Sequence, residues 1–332
     1  MKPSPLAVGL IGAGGITQAH VPAWIELGAQ VTVFSHAGAA ELAAEYGVSS
    51  VESLEDLLES CDIVDICTPT PTHRGYAEAA LLAGKHIICE KPIALTRADA
   101  DAVSALAEKV GRQAYPAHVV RFFPEYARAK SAVADGQIGT PAISRFSRVG
   151  EYPRWSAWFG DDRQSGGIVM DQMIHDLDIA RWISGEVTDV YAVKSASAVG
   201  PAVTAQVILT HEGGALSYVS GVWGAPGTTF VTSFSIAGSH GVLRHDSRTD
   251  ASIRLDGGTR EKVGGTRPDI SLGESPYLTQ LREFANACAG GEPPRVSLDD
   301  GARAVELAEA ANESIATGAS VSVARRTAGI AA

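Results

Sequence analysis

Apolar residues follow two successive patterns along this chain. In the first third, short apolar runs alternate with stretches of helical spacing. The runs 6–11, 30–34, 63–68, 86–89 and 114–117 read as buried strands, each too short for a helix. Between them, 16–27, 39–46, 53–59, 76–83 and 97–110 carry helical periodicity, with Pro22 an awkward interior residue in the first. Gly47, Gly84 and Gly111 stand where a left-handed residue closes a helix. Such alternation predicts right-handed βαβ units and a doubly wound parallel sheet covered by helices on both faces.

The pattern then changes. A helix is expected at 124–134, with proline at its start and Gly136 just past its end. Strand patterns follow at 142–149, 187–195, 203–210, 215–222, 228–237 and 241–245, interrupted by one helix near 169–183. Helices at 277–289 and 298–317 close the chain. This second part reads as an α+β unit with a mostly antiparallel sheet. The 332 residues exceed the ~250–300 that one core usually supports, so two domains are expected, 1–120 and 121–332.

Composition narrows the classes. Hydrophobic residues at 45% and charged residues at 20% exclude a disordered chain. With 27 basic against 38 acidic residues the net charge is −11, which argues against nucleic acid or an anionic membrane surface as partner. The four cysteines show no CxxC spacing and read as thiols of a reducing cytoplasm, with no structural metal site expected. The segment 213–243 has no Asp, Glu, Lys or Arg, but its Gly, Ser and Thr content suits strands rather than a membrane-spanning helix. The apolar run near the N-terminus ends in Gly12-Ala13-Gly14-Gly15, which fits a strand and turn better than a secretory cleavage site.

Three motifs carry chemistry. Gly12, Gly14, Gly15 and Ile16 lie between the first strand and the first helix, where a tight turn can bring a pyrophosphate to free backbone N–H groups; a tight turn without a ligand is the alternative. Thr17 occupies the third position, in place of Gly or Ala. At the end of the second strand, where a carboxylate would grip a ribose diol and select NAD, Ser35 and His36 stand instead. That leaves NADP slightly favoured over NAD as cofactor, with use of both nearly on a par, and His36 adding charge only when protonated. Glu90-Lys91-Pro92 follows the apolar strand 86–89, at the carboxyl edge where ligands bind in open parallel sheets. Lys91 is thus a candidate to stabilise an alkoxide, or else a surface lysine. At uniform 3.6-residue spacing, Asp171, His175, Asp178 and Trp182 share one side of the later helix, and Met170, Met173, Ile174, Leu177 and Ala180 the other. An Asp four residues before a His suits proton transfer, and suits an ordinary solvated pair equally.

The Gly12–Thr17 turn, the loop Thr68-Pro69-Thr70-Pro71-Thr72-His73, Glu90-Lys91-Pro92, Arg121-Phe122-Phe123-Pro124 and the run 166–178 occur in this order along the chain. In this the chain resembles the Gfo/Idh/MocA oxidoreductases over nearly its whole length. The resemblance implies a Rossmann domain followed by an open-faced sheet domain, with the active site between them. It matches the family's catalytic residues to Lys91, Asp171 and His175. It also places Thr68, Pro69, Thr70, His73 and Glu90 beside the cofactor, and suggests a cis Lys91–Pro92 bond.

The activity expected is NAD(P)-dependent oxidation of a hydroxyl on a sugar, cyclitol or related polyol. Arg121, Arg154, Trp155 and Trp158 are the expected substrate contacts; for the tryptophans, domain packing is the alternative. Two other activities occur in such a family: a redox-neutral glycoside hydrolase that retains NAD, and a non-catalytic dinucleotide-sensing regulator. Intact Lys91, Asp171 and His175 count against the second. The charge-free sheet segment further predicts a homodimer or homotetramer built on the open sheet.

Overall fold

A computed structural model describes residues 5–154, 156–249 and 274–323. The first strand, β1 (Ala7–Ile11), leads through the glycine turn into α1 (Thr17–Glu26). There follow β2 (Gln30–Phe34), α2 (Ala39–Tyr46), the two-residue β3 (Ser49–Ser50), α3 (Leu54–Ser60), β4 (Ile63–Ile66) and α4 (His73–Leu82). The series ends with β5 (His86–Glu90), α5 (Arg97–Val110) and β6 (Ala114–Ala117). Local signals account for the helix ends. Ser53 and Thr96 each accept the N–H of the third helical residue, and Gly47 and Gly111 close α2 and α5 with φ of 67° and 65°. Pro22 sits inside α1, which continues through it.

All pairings in this sheet are parallel, in the order β3-β2-β1-β4-β5-β6. The chain winds outward in one direction from β1 and then in the other, so the switch point falls between β1 and β4. β4 is buried throughout and β5 at four of its five residues, as expected of strands covered on both faces.

The second part begins with α6 (Pro124–Ala134) and β7 (Pro141–Glu151). A short helix, α7 (Asp162–Ser165), and the longer α8 (Ile174–Ser184) precede β8 (Val187–Ala196), β9 (Val203–His211), β10 (Leu216–Gly224), β11 (Val231–Gly238) and β12 (Val242–Asp246). Last come α9 (Pro276–Cys288), α10 (Leu298–Thr317) and β13 (Val321–Ser322). The sheet order is β12-β11-β7-β10-β9-β8-β13; only β10 and β7 pair in parallel. Along β10, Ser217, Val219, Gly221 and Trp223 are buried, and Met173 occupies the space that a side chain at Gly221 would need. Arg148 of β7 makes a two-pronged ion pair with Asp176 of α8 at 2.8 and 3.0 Å, both groups buried. Among the described residues, no helix is long and apolar enough to cross a membrane.

The division of the chain differs from the contiguous one expected at residue 120. Residues 5–124 and 274–302 form one compact unit, and 125–249 and 303–323 the other. Helix α9 therefore belongs to the parallel-sheet unit. The physical reason is its apolar face. Leu278, Leu281 and Phe284 are buried in one cluster with Val21, Trp24, Tyr115 and Phe122. The Phe284 ring stacks on Tyr115 at 5.0 Å and meets Phe122 edge-on at 5.9 Å. A helix that follows the second sheet in sequence thus completes the core of the first.

Replacing Phe284 by alanine removes the centre of this aromatic cluster. The expected cost is about 3–5 kcal/mol of unfolding free energy, measurable by denaturant titration. A loss under about 1 kcal/mol would show that α9 is not part of that core.

Candidate active site

The glycine turn is built for close approach. Gly12 has φ of 116°, and its N–H donates to the Phe34 carbonyl at 2.8 Å. A Cβ there would stand 2.5 Å from the Cys67 carbonyl oxygen, so only glycine fits where β1, β2 and β4 converge. Gly14 and Gly15 are exposed, and nothing lies within 4 Å of where a Gly14 Cβ would be. That open surface, at the start of α1, suits a pyrophosphate. Thr17 explains its own departure from the usual glycine: it is fully buried, and its hydroxyl donates to the Gly14 carbonyl at 2.6 Å, tying down the turn from within.

At the end of β2, Ser35 is half-buried and His36 exposed. Ser35 Oγ accepts the Ala37 N–H at 3.5 Å, and the His36 Nε2 lies 3.1 Å from the Tyr76 hydroxyl. The loop after β4 is closed by Thr72, whose hydroxyl reaches the Thr68 hydroxyl and the Pro69 carbonyl, each at 2.7 Å. Pro69 is exposed, Thr68 half-buried and Thr70 buried.

His73 differs from the expected cofactor contact. It is buried, with Nδ1 2.7 Å from the Pro92 carbonyl and Nε2 2.8 Å from the Thr68 carbonyl. The ring therefore lies between the Thr68 loop and the segment after β5, and when neutral donates its one N–H to one of these two carbonyls. Burial pushes its pKa down, against the pull of the two carbonyls. Lys91 is half-buried and its bond to Pro92 is cis.

Glu90 also turns inward, with one carboxylate oxygen 3.1 Å from His20 Nε2 and the other accepting the Lys91 N–H at 3.1 Å. Arg121 departs most from expectation. Its guanidinium is buried, donates to the Arg295 carbonyl at 2.8 Å and pairs with Asp300 at 3.1 Å. It is tied into the first unit's own structure. The signal missed in sequence was the distant Arg295–Asp300 segment that supplies its partners.

In the second unit, Gly166 and Gly167 adopt φ of 71° and 69° and end α7. The next residues are not regular α-helix. Val169–Met173 form a single π-turn before α8 begins at Ile174. The wider turn alters the phase assumed from uniform spacing. Asp171 and His175 remain half-buried, and Met170, Met173, Ile174, Leu177 and Ala180 are buried as expected. Asp178 differs: it is buried too, so it does not extend an open stripe with Asp171 and His175. Gln172, which sequence reasoning passed over, is buried and donates to the Arg148 carbonyl at 2.7 Å, bracing the π-turn against β7. Arg154 is exposed and pairs with Glu151 at 3.5 Å. Trp158 stacks on Phe159 with ring centres 3.9 Å apart, and Trp155 lies outside the described residues.

A parallel sheet in this strand order, with a glycine turn beside its switch point, defines a dinucleotide-binding Rossmann unit. Residues 6–118 match the model of the Gfo/Idh/MocA oxidoreductase family, NAD-binding Rossmann fold, and 126–244 match that of the Gfo/Idh/MocA C-terminal domain. The chain belongs to this family of NAD-binding oxidoreductases. It is 32% identical to an inositol 2-dehydrogenase of Rhizobium meliloti, over 95% of this chain and 98% of the relative. It is also 32% identical to a D-apiose dehydrogenase of Paraburkholderia graminis, over 91% and 85% of the two chains. The solved structure of a levoglucosan dehydrogenase in complex with NADH superimposes with a TM-score of 0.82 at 25% identity, covering 97% of this chain and 100% of that one.

Proposed function

We propose that the protein is an NAD(P)-dependent dehydrogenase acting on a hydroxyl of a sugar, cyclitol or related polyol. In this reading the first unit binds the dinucleotide, and the second contributes substrate binding and self-association. The observation that carries it is the placement of Lys91. It follows directly on β5, at the carboxyl edge of the sheet that bears the open glycine turn. The names of the relatives, dehydrogenases of inositol and of sugars, support the substrate class.

The exposed surface of Gly14 and Gly15, ahead of α1, would hold the pyrophosphate, with Thr68 and Pro69 beside the nicotinamide ribose. Bound nicotinamide supplies the acceptor for the hydride that leaves the substrate carbon. Lys91 donates to the substrate oxygen and stabilises its developing negative charge. His175 takes the hydroxyl proton, and Asp171 orients the imidazole for that transfer. Arg154 and Trp158 stand as substrate contacts, through hydrogen bonds to hydroxyls and packing on sugar C–H faces.

Lys91→Ala is therefore expected to lower kcat/KM by about 10²-fold or more while the affinity for NADH stays near normal. Steady-state kinetics and NADH fluorescence titration decide it. Near-normal turnover in the folded variant would remove Lys91 from the reaction.

The end of β2 offers no carboxylate to repel a 2′-phosphate, so both cofactors are expected to serve. A modest preference for NADP should amount to about tenfold, or ~1.4 kcal/mol. Ser35→Asp should reverse it, read as kcat/KM for NAD and NADP. A strong NAD preference before mutation would show that another group reads the ribose.

The second sheet carries the proposed assembly surface. On its outward face, Tyr191, Val193, Tyr218 and Val242 are 36–47% exposed. A homodimer or homotetramer through this face would cover them. Light scattering at micromolar protein is expected to give a multiple of the chain mass, and a monomer would contradict this surface.

A further inference from the structure

Beneath Lys91 lies a buried charge cluster that the proposed reaction does not use directly. It joins three elements of the first unit: α1, β4 and β5. His20 and Asp65 are fully buried and Glu90 nearly so. His20 Nδ1 lies 2.8 Å from Asp65 Oδ2, and its Nε2 lies 3.1 Å from Glu90 Oε1. The Trp24 indole N–H donates to the same Asp65 oxygen at 2.7 Å. An oxygen that accepts from an indole is occupied as an acceptor, so the His20 Nδ1 carries the proton between itself and Asp65. Glu90 then accepts from Nε2 with one oxygen and from the Lys91 backbone N–H with the other, at 3.1 Å.

The charges are mutually consistent. Burial alone would discharge the imidazole, but the Asp65 carboxylate outweighs it and raises the His20 pKa well above the ordinary value. A cation held between two carboxylates satisfies all three groups. Removing one member would leave the others buried without compensation. Cys67, 3.5 Å from Nδ1, remains a thiol: burial first, and then Asp65, push its pKa up to about 12. His20, Asp65 and Cys67 stand close enough to suggest a metal site. The Asp65 oxygen on this side is already taken by the Trp24 indole N–H and by His20, so the geometry is that of a hydrogen-bonded charge cluster. The Tyr277 ring of α9, 5.8 Å from the imidazole, closes the remaining side.

We propose that Asp65, His20 and Glu90 form a positioning relay for Lys91, fixing the peptide from which its side chain departs. The inference rests on the assignment of Lys91 to the reaction. The relay holds the Lys91 N–H through Glu90, and His73 Nδ1 meets the Pro92 carbonyl, one residue beyond Lys91, at 2.7 Å. The Lys91–Pro92 segment thus has a buried side chain on each flank, Glu90 and His73. Such support allows a catalytic ammonium to meet the reacting oxygen without reorganising, which affects kcat more than binding.

The test is a double-mutant cycle. Glu90→Gln keeps the shape but removes the charge that pairs with His20. It is expected to lower kcat about tenfold or more, with substrate KM and NADH affinity changed less than about twofold. Introduced into Lys91→Ala, the same change should alter the residual turnover by less than about twofold, because the group it positions is gone. Trp24→Phe, which removes one donor to Asp65 and retains the bulk, should show the same signature at about threefold, and carries the test alone if Glu90→Gln does not fold. Unchanged kcat in the folded variants would overturn the relay, as would equal losses with and without Lys91. Normal turnover of Lys91→Ala itself would instead overturn the assignment of Lys91.

Discussion

The absence of a side chain at Gly12 is the constraint on which the first unit depends. Three strands meet at that point, and the Cys67 carbonyl approaches so closely that a methyl group would collide with it. The approach allows β1 to pair with both β2 and β4 in register. Because every strand in the sheet runs the same way, the turns after β1, β2, β4 and β5 all emerge at one edge. The glycine turn, the Ser35-His36 end, the Thr68 loop and Lys91 belong to that edge by topology alone.

The polar interior follows from the same geometry. Parallel strands covered on both faces have no solvated side on which to place charge. The charges buried in that sheet are therefore held in a closed set, and a second closed pair lies buried in the other unit. Asp65 and Glu90 share His20, and Arg148 takes both oxygens of Asp176. Buried pairs of this kind contribute little net stability but are costly to break, which makes them better suited to fixing geometry than to holding the fold together. Both sets lie close to residues assigned to the reaction. One is bonded to the Lys91 peptide, and the other is anchored at the residue after His175.

Much of this protein was legible in the sequence. Apolar runs and their spacing determined nearly every strand and helix, because period and length are local properties. Helix 97–110 and strands 30–34 and 114–117 have the bounds read from pattern alone. The glycine turn and the lysine after β5 were equally local, each a matter of residue type beside an element end. What needed the tertiary structure was every feature whose cause is distant in sequence. Helix α9 joins the first core because Phe284 finds Tyr115 and Phe122. Arg121 and His73 turn inward because carbonyls far along the chain await them. The phase of the Asp171–His175 segment is set by a π-turn that uniform periodicity does not contain. His20 reads in sequence as one more helical residue. Its two carboxylate partners, 45 and 70 residues away, meet it only when β4 and β5 pair beneath α1. Periodicity is encoded residue by residue, whereas the partner of a buried charge is chosen by the packing of elements that the local pattern cannot relate.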